Sequence, residues 1–102
     1  MNPRNFNGKK AKDAVIEALK RLYSFNPGHY YSSSGVAQEI IRNNLYPERK
    51  SLRMYEVKPL LESFAEKGLI LRVITGDPGG RETGRHYSFI PSKEEELDKY
   101  LI

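Results

Sequence analysis

The chain has no cysteine and no tryptophan among its 102 residues. Without thiols there is no disulfide framework, no thiolate nucleophile and no cysteine-ligated zinc, so stapled secreted folds and zinc ribbons are excluded. Long apolar runs are missing as well. Leu69-Ile70-Leu71 and Val73-Ile74 are the most apolar stretches, far short of the ~20 residues that span a bilayer. Met1 to Lys12 contains no apolar signal-peptide segment. These absences predict a cytoplasmic protein with no membrane partner. At 38% hydrophobic residues, the chain has material for one modest core and not for two.

Motifs of catalysis are also absent. There is no G-x-S-x-G elbow, no G-x-x-x-x-G-K-S/T phosphate cradle and no G-x-G-x-x-G turn. The glycine-rich stretch after Thr75 has no lysine and leads into an extended segment, whereas a phosphate cradle leads into a helix. His29 and His86 are distant in sequence, with no cysteine to complete a metal set. No catalytic residue, metal or cofactor is therefore expected, and the chain is not read as an enzyme.

What is present is aromatic and basic. Seven Tyr and four Phe can anchor a core. Lys and Arg exceed Asp and Glu by four, and unevenly: residues 92–102 hold two bases and four acids, which leaves +6 on residues 1–91. Such an excess points to polyanions as partners.

Residues 1–8 show no periodicity and read as a basic tail with nothing to pack. From Lys9 to Ser24 an apolar stripe (Ala14, Val15, Ala18, Leu19, Leu22) recurs at helical spacing, and Asn26-Pro27-Gly28 stops it. A second helix starts at a Ser32 cap, with Tyr31 packing on Val36; Val36, Ala37, Ile40, Ile41 and Leu45 make its buried face, and Asn43, Asn44 and Pro47 mark its end. A third, Ser51 to Lys67, buries Met54, Val57, Leu61 and Phe64 and ends at Gly68. Pro59 inside it requires either a kink or a start later than Ser51.

Beyond Gly68 the apolar period becomes two. Leu69–Thr75 and Arg85–Ile90 are expected strands, joined by a long mobile Gly76–Gly84 loop. Ser92 and Glu95 have capping-box spacing and start a short terminal helix with Leu97, Tyr100 and Leu101. The fold class is α+β, with residues 1–8 a tail, 9–91 one domain and 92–102 a terminal helix.

Three helices, a hairpin and a terminal helix, in that order, resemble a winged helix. Leu61-Glu-Ser-Phe-Ala-Glu-Lys-Gly68-Leu-Ile70 resembles the stretch by which winged helix-turn-helix proteins leave their third helix and enter the first wing strand. Tyr31-Ser-Ser-Ser-Gly-Val36-Ala37-Gln-Glu-Ile40 is similar to the family's second helix, and Gly84-Arg-His-Tyr-Ser-Phe89 to its returning strand. The resemblance covers residues 10–91. It implies double-stranded DNA as partner, with the third helix in the major groove, the wing on backbone or minor groove, and a role as a small transcriptional regulator.

With Val57 placed inward, a helical wheel points Tyr55, Lys58, Pro59, Glu62 and Glu66 outward. Arg53, Tyr55 and Lys58 are then the expected groove residues. Arg49, Lys50, Arg81 and Arg85 are expected on phosphates or in the minor groove, with His86 beside Arg85. Arg4, Lys9, Lys10 and Lys12 form either a phosphate-tracking arm or an ordinary solvated tail. Leu97, Tyr100 and Leu101 are the edge expected to pair two copies as a homodimer. Pro59, Glu62, Glu66 and a hairpin tip of low net charge support the alternative, a winged helix that docks on protein or RNA–protein assemblies and exposes an apolar patch. RNA is open to the same basic residues as DNA.

Overall fold

The structure, a computed structural model, describes residues 6–101, with the backbone alone at Leu101. Arg4 of the basic tail lies outside the described residues.

Helix α1 (Gly8–Phe25) carries the expected stripe, and Ala11 and Ile16 are buried beside it. The stripe is broad because α1 is central: it meets α2 (Ser33–Arg42), α3 (Met54–Glu66), α4 (Glu94–Leu101) and strand β2 (Glu82–Phe89). The tail ahead of α1 is not bare. Phe6 is only 7% exposed and meets Tyr46 edge-on, ring centroids 4.8 Å apart. Phe6 therefore belongs to the core, contrary to the expected unpacked tail.

Local signals set the helix ends. The Ser32 hydroxyl accepts the Gly35 N–H at 3.1 Å, as expected of a cap. At the far end of α2, Asn44 takes φ 54°, which lets the Leu45 N–H reach the Ile40 carbonyl at 2.9 Å. Gly68, at φ 72°, closes α3 the same way, with Leu69 N–H on the Phe64 carbonyl at 3.0 Å.

Helix α3 starts at Met54 and runs through Pro59 to Glu66, so the later start is the solution to the proline problem. Met54 is consequently the first helical residue, and it is 57% exposed instead of buried. Val57, Leu61 and Phe64 are buried as expected.

Strand β1 (Ile70–Gly76) pairs antiparallel with β2 from Ile70↔Phe89 to Thr75↔Gly84, then shifts so that Gly76 meets Glu82. Tyr31 pairs with Tyr87 on the other side of β2, with two backbone bonds of 2.8 Å. The connection is shorter and more ordered than the long mobile loop expected. Asp77 Oδ1 accepts the Gly79 and Arg81 N–H groups at 3.0 and 2.9 Å, and the Asp77 N–H donates to the Arg81 carbonyl at 2.9 Å. A carboxylate holding its own turn amides is the device that fixes such tips.

The terminal helix departs from the sequence reading in two ways. Pro91 opens a 3₁₀ turn through Lys93, and α4 begins at Glu94, so Ser92 lies within a helical turn and caps nothing. Proline's fixed φ favours that first position and moves the boundary upstream of Ser92. Leu97 is fully buried in this chain's own core, while Lys20 holds Glu94 at 3.0 Å. Tyr100 lies edge-on to Phe64 at 5.7 Å, with Lys12 and Lys67 ammonium groups over its ring. The edge expected to pair two copies is therefore covered within one chain at Leu97 and Tyr100. The Leu101 side chain lies outside the described residues.

Candidate nucleic-acid interface

The start of α3 is built by one carboxylate. Glu56 reaches back to accept the Arg53 N–H at 2.8 Å and holds the Arg49 guanidinium at 2.8 Å. Burial opposes the charge on Glu56, but the Arg53 N–H and the Arg49 guanidinium outweigh it and hold the carboxyl below the usual carboxylate range. Arg49, an expected phosphate contact, is thus a partly buried member of the helix start.

The same arrangement leaves Lys50, Arg53, Tyr55 and Lys58 exposed. Three of them border different hollows. Lys58 and Met54 line a cleft with Ser32 and Ser33 at the start of α2 and with the β2 run 82–87, which includes Arg85 and His86. Tyr55 and Pro59 face a second hollow with Phe6 and Asn7, which sets the chain's N-terminal entry beside α3. Lys50 lines a third with Gln38 and Arg42 of α2. Lys58 and Tyr55 thus border separate hollows beside α3, and Lys50 borders one lined by α2 and residues 50–52.

Glu62 differs most from the helical wheel. Expected to point outward, it is largely enclosed between α3 and the hairpin. Its Oε1 accepts Arg72 Nη1 at 3.2 Å and is also paired with Arg85, and its Oε2 accepts the Tyr87 hydroxyl at 2.7 Å. Burial pushes the Tyr87 hydroxyl above its ordinary range, so it stays a donor. Arg85 additionally holds Glu82 at 2.6 Å. Arg85 is therefore neutralised on both sides, whereas Arg81 is exposed and has no ion pair among the described residues.

The basic arm divides similarly. Lys10 pairs with Glu48 at 3.0 Å, and that hydrogen bond raises the lysine above its ordinary value. Lys12 covers the Tyr100 ring. Lys9 is exposed and unpaired among the described residues. Arg42, not singled out in the sequence, is exposed and lies 4.0 Å from Glu39, at the limit of an ion pair. Its position in the last turn of α2, off the Val36–Ile40 stripe, was the signal available.

No helix among the described residues is long and apolar enough to cross a membrane. No protein-family model matches the chain, and no curated protein matches it. Among solved structures, the chain is similar to the crystal structure of smu.1704 from Streptococcus mutans UA159, with a TM-score of 0.48 and 15% identity. That alignment covers 91% of this chain and 74% of the other.

Proposed function

We propose that the chain is a small winged-helix protein of the cytoplasm that binds double-stranded DNA, as a transcriptional regulator does. The observation that carries this reading is the cleft shared by Lys58 of α3 and the β2 run from Glu82 to Tyr87. It puts the exposed Lys58 of α3 next to the hairpin, and a duplex can be held between a helix and a hairpin when one enters a groove and the other follows the backbone. Arg53, Tyr55 and Lys58 face the groove in this reading. Lys50, Arg81 and Lys9 meet phosphates, and Arg49, Arg85 and Lys10 hold the protein's own carboxylates. Selection from a randomised duplex pool with purified protein tests it. Recovery of duplexes that outcompete both the starting pool and a matched RNA supports the reading. Recovery of nothing above background overturns it.

A second reading, docking on a protein partner, is favoured by one observation. Leu71, Val73 and Ile74 are exposed along β1, whose only strand partner among the described residues is β2. Apolar side chains on an open strand edge are a common docking surface. Val73→Thr separates the two readings, because it alters that edge and leaves every proposed DNA contact in place.

A further inference from the structure

We infer that Glu62 is a positioning residue that fixes the hairpin against α3, so that Arg81 at the tip and Lys58 on the helix engage one duplex together. The inference rests on the DNA-binding reading and goes beyond it, because that reading gives Glu62, an anion, no role.

One carboxylate on the middle of α3 takes partners from both strands: Arg72 on β1, and Arg85 and Tyr87 on β2. Its side chain is only 17% exposed, so water weakens these bonds less than at an open surface. Tyr87 is also the residue whose backbone pairs with Tyr31 at the entrance to α2. Helix α3, both strands and the α2 entrance thus converge around Glu62. Beyond this point the two strands continue to a turn ordered by Asp77. A rigid tip on a clamped base places Arg81 at a set distance from α3. Preorganisation of this kind raises affinity by lowering the ordering cost of binding.

The inference makes a prediction opposite in sign to that of charge counting. Glu62→Gln raises the net charge by one and loosens two arginines, so electrostatics alone gives tighter duplex binding and a steeper salt dependence. Positioning gives weaker binding, by about tenfold, with the salt slope unchanged or shallower.

The experiment is a duplex titration of the full chain as wild type and Glu62→Gln, each with and without Arg81→Ala and Lys58→Ala, beside amide hydrogen exchange of the free proteins. Arg81→Ala is expected to weaken the wild type several-fold and to leave Glu62→Gln unchanged, while Lys58→Ala weakens both alike. A loss of folding would not single out Arg81 in this way. Exchange is expected to accelerate in residues 70–89 of Glu62→Gln and not in α1. Tighter binding by Glu62→Gln, additive effects of Arg81→Ala, or unchanged hairpin exchange each overturns the inference. Absence of duplex binding by the wild type overturns the DNA reading instead, and the exchange result still decides whether Glu62 clamps the hairpin.

Discussion

Glu56 lies 2.8 Å from Arg49, Oε1 to Nη2, and both side chains are only 19% exposed. The pair closes the connector between α2 and α3 onto the first turn of the helix. A lowered folded-state value for Glu56 stabilises the fold above the ordinary carboxylate range, and that stabilisation is lost as pH falls through the folded value. Glu56→Gln should cost about 1–2 kcal/mol at neutral pH, a fall of about 5–15 °C in melting temperature. The gap between wild type and variant should close below pH ~4. Thermal melts from pH 3 to 7 check this, and equal melting temperatures at pH 7 would show that the pair is idle.

The buried Phe6 gives a stability prediction for the N-terminal entry. Phe6→Ala should destabilise by about 2–4 kcal/mol, because the ring packs on Tyr46 and its removal leaves a void. Urea unfolding measures it. A change under about 0.5 kcal/mol is what a surface tail would give.

Leu97 distinguishes a core role from an association role. It is fully buried, so Leu97→Ala should cost about 2–5 kcal/mol of unfolding free energy. Sedimentation beside the unfolding curve separates the two roles. A variant of unchanged stability that shifts the mass distribution would return Leu97 to a surface between copies.

Asp77→Ala should act locally. Losing the acceptor for the Gly79 and Arg81 amides removes about 1 kcal/mol of turn stability. Exchange at those two amides should accelerate about fivefold, with little change in the melting temperature, since the tip is solvated. Unchanged exchange would mean that the backbone bonds at the tip suffice alone.

The start of α2 and the ends of α2 and α3 were legible in the sequence because their signals are local. Ser32, Asn44 and Gly68 act within a turn of where they stand, and each does in the structure what its residue type predicts. Strand pairing was equally legible from the change of period after Gly68. Which cations are free was not legible, because pairing joins residues far apart in sequence. Lys10 meets Glu48 38 residues away, and Arg85 meets Glu62 23 residues away. A wheel drawn for α3 alone puts Glu62 in water, since it contains nothing of the hairpin that covers this carboxylate. Phe6 was hidden for a related reason: its partner Tyr46 follows α2, and no pattern within residues 1–8 indicates it. The availability of a basic residue is a property of the tertiary fold.

We propose that a limited set of cations at the start of α1, ahead of and on α3, and at the hairpin tip holds duplex DNA. Lys9, Lys50, Arg53, Lys58 and Arg81 make no ion pair among the described residues. With ~0.9 counterion released per neutralised phosphate, these residues give a slope of log K against log salt of about −3 to −4.5. Fluorescence-anisotropy titration of a duplex over a series of salt concentrations measures that slope directly. Binding at low salt with a slope in this range is expected, reduced by about one in Lys58→Ala. Absence of binding at low salt, or an affinity indifferent to salt, would contradict it.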